Sequence, residues 1–137
     1  MSAKTFLISV LSCALIAGPG AARAASTFGQ FSSPSGGIGC EYDAGFLRCD
    51  VRDGVKPLPV RPKDCNLDWG QGFEMKTTGA ANVVCAGDTA LGSKTIVAYG
   101  TTWRNAGFAC HSTTDGMRCT NASRHGFFIS RGEASRF

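Results

Sequence analysis

The residues best suited to chemistry are few and scattered. His125, in Arg124-His125-Gly126-Phe127-Phe128, is the candidate general base. Asp68 or Asp88 would be the carboxylate that orients it in a hydrolase. His111 follows Cys110 directly, so strand alternation turns it to the face opposite that cysteine and it reads as a solvated strand histidine. Glu74, Asp68 and Asp88 are the carboxylates a glycosidase pair would draw on, which requires about 5–9 Å between two of them. The serines include no G-x-S-x-G elbow, and Ser33-Pro34-Ser35-Gly36-Gly37 reads as a turn. There is no C-x-x-C and no histidine pair at helical spacing, so neither a metal nor another cofactor is expected.

Two segments point instead to recognition. Asp68-Trp69-Gly70-Gln71-Gly72 combines an aromatic, a carboxylate and glycines, and Tyr99-Gly100-Thr101-Thr102-Trp103-Arg104-Asn105 offers a second aromatic beside a cation. Tryptophan and arginine on loops favour sugars or protein partners. The expected recognition surface is Asp68, Trp69, Trp103, Arg104 and His125. The competing structural reading has both tryptophans plugging the ends of a small barrel or sandwich. Cys85-Ala86-Gly87-Asp88-Thr89 reads as a capped turn.

The elements that must position these residues begin after a leader. Lys4, an apolar run from Phe6 to Ile16, the breaker Gly18-Pro19-Gly20 and then Ala22-Arg23-Ala24 have the order of a secretory signal, with cleavage expected after Ala24. The apolar run is too short for a membrane span, which needs roughly 20 residues. The expected product is a single domain over residues 25–137, periplasmic or extracellular. Lys4 and Arg23 leave with the leader, reducing the formal charge from +4 to +2. That balance argues neither for nucleic acid nor for an anionic membrane. The terminal Phe137 does not make a membrane barrel of a chain with strands this short.

Cys13 also leaves, and six cysteines remain: Cys40, Cys49, Cys65, Cys85, Cys110 and Cys119. An even set in a short exported chain reads as a disulfide framework. Glycine supplies 18 of 137 residues, nearly twice the usual share of about 7%. The β-favouring runs are short, and no segment holds a 3.6-residue apolar period over three turns. The expected fold is therefore all-β, with no substantial helix after the leader.

Gly37-Ile38-Gly39-Cys40 with Leu47-Arg48-Cys49 matches Gly107-Phe108-Ala109-Cys110 with Met117-Arg118-Cys119. Gly72-Phe73-Glu74-Met75 with Val84-Cys85 is a weaker copy, and Ile38, Phe73 and Phe108 are spaced by 35 and 35. The spacing predicts three antiparallel hairpin units, at about 31–55, 65–91 and 99–131, in a pseudo-threefold barrel or sandwich. With Ala44-Gly45 as a two-residue turn, Cys40 faces Cys49 at a non-hydrogen-bonded pair, close enough for a disulfide. Glu41 then faces Arg48 as a cross-strand charge pair. In the last unit, a longer turn with Gly116 as a bulge residue is needed to align Cys110 with Cys119. Cys65 is left for Cys85. The proline-rich Lys56–Lys63 stretch is a stiff crossover.

In order, the motifs Ser33-Pro34-Ser35-Gly36-x-Ile38-x-Cys40, Arg48-Cys49-Asp50, Asp68-Trp69-Gly70-Gln71-Gly72, Val84-Cys85-Ala86-Gly87-Asp88-Thr89-Ala90-Leu91 and His125-Gly126-Phe127-Phe128-Ile129-Ser130-Arg131 span the mature chain. They resemble a family of small exported bacterial proteins, many of them actinobacterial, that is catalogued only as a domain of unknown function. The resemblance implies export and an intact cysteine framework, and supplies no catalytic residues. The expected function is a non-catalytic binding or structural module of the cell envelope, with a cell-wall glycan or an envelope protein as partner. A small secreted hydrolase or hydrolase inhibitor is the alternative.

Overall fold

The computed structural model describes residues 28–137 together with Gly18 and Gly20. The expected leader, those two glycines apart, lies outside the described residues. Ten strands follow in chain order: β1 (Phe28–Ser32), β2 (Ile38–Asp43), β3 (Phe46–Val51), β4 (Trp69–Lys76), β5 (Asn82–Cys85), β6 (Thr102–Asn105), β7 (Phe108–Ser112), β8 (Met117–Thr120), β9 (Gly126–Ile129) and β10 (Ala134–Arg136). They form two antiparallel five-stranded sheets, ordered β1-β2-β3-β4-β5 and β10-β9-β8-β7-β6. The all-β expectation holds: among the described residues there is no helix, and neither sheet closes into a barrel.

The threefold array gives way to a twofold one. The middle unit does not stand alone, because β4 pairs with β3 and, with β5, completes the first sheet. Cross-strand register makes Cys40, Cys49 and Phe73 of the first sheet equivalent to Cys110, Cys119 and Phe127 of the second. Phe31, opposite Cys40, is likewise equivalent to Trp103, opposite Cys110. Equivalent residues touch one another across the core. Phe31 packs on Trp103 with ring centroids 4.4 Å apart, Phe73 on Phe127 at 5.5 Å, and the Sγ atoms of Cys49 and Cys119 lie 3.8 Å apart. Such self-contact is what a local twofold axis produces. The 35-residue spacing is half of the true repeat, so Phe73 sits midway by coincidence of loop lengths.

Period-two alternation sends one face of each sheet inward. Leu47, Cys49, Met75, Met117, Phe127 and Ile129 are fully buried there. Cys40 pairs with Cys49 and Cys110 with Cys119, at Cα separations of 4.0 and 4.1 Å. That is the close approach of a non-hydrogen-bonded antiparallel pair. Cys65 bonds Cys85 at 5.9 Å and ties the crossover to the end of β5. The β7–β8 connection needs no bulge. Thr113 and Gly116 exchange backbone hydrogen bonds, leaving Thr114-Asp115 as a two-residue turn, and this alone brings Cys110 opposite Cys119. The outer edge of β1 is covered by the returning chain, since Ser32 exchanges backbone hydrogen bonds with Thr95 and Val97.

Candidate functional site

The outer faces of the two sheets differ in kind. On the first, Glu41, Arg48 and Glu74 form one cross-strand row, and Gly39, Asp50 and Gly72 the next. Arg48 and Asp50, either side of inward-facing Cys49, are only 4% and 1% exposed. Arg48 donates Nε–H to Asp50 Oδ1 at 2.9 Å and Nη2–H to Oδ2 at 2.7 Å. It also donates Nη1–H to Asp88 Oδ1 at 2.7 Å and Nη2–H to the Asp88 carbonyl at 2.9 Å. Glu41 stands further off, 3.6 Å from Nη1. The Ala90 backbone N–H and the Thr89 hydroxyl complete the shell of Asp50 at 2.9 and 3.3 Å.

Residues 86–91 therefore fold back as a lid on this face. Gly39 makes the lid possible, because a Cβ there would collide with the Ala90 carbonyl. Burial works against the Arg48 charge, but the hydrogen bonds it donates to Asp50 and Asp88, with the attraction of their charges, outweigh it and raise its pKa further above the ordinary range. The same guanidinium holds the Asp88 carboxyl below its usual value. Burial, opposed by Arg48 and reinforced by Asp50, raises that of Glu74. Asp88 and Glu74, carboxylates that could have served catalysis, thus belong to the surroundings of one buried arginine. An alternation signal for this cluster lies in Arg48-Cys49-Asp50, since residues two apart on a strand share a face. Asp88, 40 residues away in sequence, gives no such signal.

On the second sheet the outer face is open. One row runs Thr102, His111, Arg118, Phe128, Ser135. The next runs Arg104, Ala109, Thr120, Gly126, with Phe137 closing it through two backbone hydrogen bonds to Gly126. Small side chains floor a trough of about 490 Å³ lined by Arg104, Ala109, Thr120 and Ala122, with no carboxylate in its lining. The Arg118 guanidinium lies over the Phe137 ring, 3.7 Å from its centroid. Arg104, His111 and Arg118 all face solvent. The charge asymmetry is large but hidden in the total. Residues 92–137 carry Lys94 and five arginines against Asp115 and Glu133, while residues 28–91 are net acidic. A comparison of the two halves of the chain would have exposed it.

The five residues expected to form one recognition surface are not brought together. Trp103 turns inward from β6 and packs on Phe31 and Tyr42, the latter ring 4.8 Å away. Trp69 donates its indole N–H to the Pro59 carbonyl at 2.8 Å and pins the proline-rich crossover to β4. Asp68, beside it, is exposed and meets Gln71 at 3.4 Å. His125 is held through its backbone N–H by Asn121 Oδ1 at 3.1 Å. It lines a depression of about 550 Å³ with Pro57, Phe73, Ala81 and Arg136, with no Asp or Glu in the lining. Of the five, Arg104 alone reaches the open face of the second sheet.

A third depression, about 310 Å³, lies where Ser33, Ser35, Tyr99, Asp115, Ser130 and Arg131 meet. Its serine hydroxyls are spent on turns: Ser33 and Ser35 bond each other at 3.1 Å, and Ser130 donates to the Glu133 carbonyl at 2.9 Å. The Sγ atoms of Cys40, Cys49 and Cys119 cluster within 4.8 Å. Cys40 and Cys49 are bonded to each other and Cys119 to Cys110, so this is the contact of two stacked disulfides. Among the described residues no helix is long and apolar enough to cross a membrane. Three disulfides suit an oxidising compartment.

No curated protein and no solved structure matches this chain significantly. A family model described as a family of unknown function, DUF6636, matches residues 9–137, and the chain belongs to that family.

Proposed function

We propose that the domain is an exported, non-catalytic recognition module of the cell envelope that binds through the outer face of its second sheet. One observation carries the reading. The two sheets are built alike, yet one outer face is closed by residues 86–91 over Arg48 and Asp50, while the other presents Arg104, His111 and Arg118 to solvent. Export rests on the leader-like residues 1–24 and on the three disulfides, which suit an oxidising compartment. The partner class is a cell-wall glycan or an envelope protein. A core pinned by two stacked disulfides keeps the face rigid, so little ordering cost is incurred on binding.

The test is retention of envelope material by the immobilised, oxidised domain, compared with an Arg104→Ala/Arg118→Ala variant. Retention by the native domain that is lost in the variant supports the reading. Equal retention by both removes this face from the function. Release of soluble cell-wall fragments by the native domain, abolished by His125→Ala, would overturn the non-catalytic reading in favour of a hydrolase.

A further inference from the structure

We infer that the ligand of the second sheet's outer face is an anionic, carboxylate-bearing glycan. The inference rests on the reading that this face is the binding face, and goes beyond it by naming the chemistry. Charge comes first. The two outward rows of β6–β9 carry Arg104, His111 and Arg118 and no Asp or Glu, and the trough beside Arg104 has none in its lining. An acidic chain is the complement of such a face, and a neutral one leaves two guanidiniums unanswered.

Preorganisation comes second. The Arg118 guanidinium lies over the Phe137 ring, 3.7 Å from its centroid, and this contact restrains it. A planar donor fork held in place loses less freedom when it takes a carboxylate by two parallel hydrogen bonds. Arg136, from the inward row, is engaged elsewhere: it donates to the Ala81 carbonyl at 3.2 Å.

Shape comes third. Ala109 and Thr120 form a low floor running across the strands from Arg104 to the Phe137 ring, which covers Gly126. At about 4.8 Å per strand this floor is roughly 14 Å long, the scale of a short oligosaccharide. Phe128, half-buried beside it, offers an apolar ring to the C–H face of a sugar. Two solvent-facing guanidiniums are too few for the long phosphate track of a nucleic acid. The face also lacks the exposed aliphatic side chains that an inserting membrane surface needs.

The experiment is calorimetric titration of the oxidised protein with an oligogalacturonate of defined length and with its full methyl ester, which keeps the backbone and removes the charge. The acid is expected to bind at least tenfold more tightly than the ester and to weaken as salt rises. Arg118→Ala and Arg104→Ala are each expected to lower affinity for the acid about tenfold, with Arg118→Lys intermediate because it keeps the charge and loses the fork. Near-UV circular dichroism verifies that these surface variants remain folded.

Equal binding of acid and ester would overturn the anionic assignment and leave the recognition-module reading standing. Binding of neither probe also overturns it, and envelope retention then decides that broader reading separately. Unchanged affinity in both arginine variants refutes the location. Binding of a single-stranded dC oligonucleotide or of phosphatidylglycerol vesicles as tightly as the oligogalacturonate refutes the ligand class.

Discussion

Asp50→Asn is the substitution that most directly probes how the first sheet is closed. Asp50 is 1% exposed and accepts four hydrogen bonds, two from Arg48 and one each from Ala90 N–H and Thr89. The amide keeps the shape but removes the charge, and its NH₂ group confronts donors where an oxygen stood. Arg48 retains Asp88, so the loss is that of one partner in a shared buried pair. Breaking such a pair costs about 3–5 kcal/mol, and the surviving partner places this case near ~3 kcal/mol. A domain of about 110 residues has an unfolding entropy near 0.23 kcal/mol/K, so the expected drop in Tm is roughly 13 °C.

Scanning calorimetry of the oxidised protein at pH 7 measures this drop. Hydrogen exchange supplies the mechanism: the Ala90 amide should lose its protection while amides of β8 and β9 keep theirs. The double variant Arg48→Met/Asp50→Leu removes both charges together and should be milder than Asp50→Asn, since it leaves no uncompensated buried cation. A Tm change below about 3 °C in Asp50→Asn, or a double variant as damaged as the single one, would refute the reasoning.

Further outcomes follow from the same contacts. Gly39→Ala is expected to release the lid, because its Cβ would meet the Ala90 carbonyl, and limited proteolysis should then cut within residues 86–91; an uncut lid would show that the backbone yields instead. Under mild reductant Cys65–Cys85 should open first, since Cys85 is partly accessible while the other four cysteines are 0% exposed, and alkylation with mass mapping gives the order. Full reduction should remove roughly 2.5–3.5 kcal/mol per bridge, comparable in sum to the stability of a typical domain, so an unchanged melting midpoint would contradict it.

Glu74, with its pKa raised by burial, binds its proton more tightly in the folded state than in the unfolded. It therefore contributes stability below the usual carboxylate range that is lost as pH rises through its raised value. Glu74→Gln should flatten that decline and leave the variant the more stable protein at pH 7. Denaturant midpoints at pH 4 and pH 7 test the sign.

Much of this molecule is set by local chemistry that the linear chain displays. Alternation around Cys40, Cys49, Cys110 and Cys119 is a period-two property, and Ala44-Gly45 sets the first register by itself. The pairing of four cysteines therefore follows from counting along two hairpins. The charge asymmetry between the halves is present in the sequence as well, although the small net charge conceals it. Other features depend on contacts between residues far apart in the chain. Whether β4 begins a third unit or completes the first sheet is decided by its hydrogen bonds to β3, and a spacing of 35 residues fits either. Trp69 and Trp103 have the composition of a binding surface, and only Pro59, Phe31 and Tyr42 turn them into packing. Asp88 reads as a catalytic candidate until Arg48 claims it. The physical reason is common to all three. A strand's own residues dictate which face a side chain takes, but a second sheet or a returning loop determines whether that face is buried or left to meet a partner.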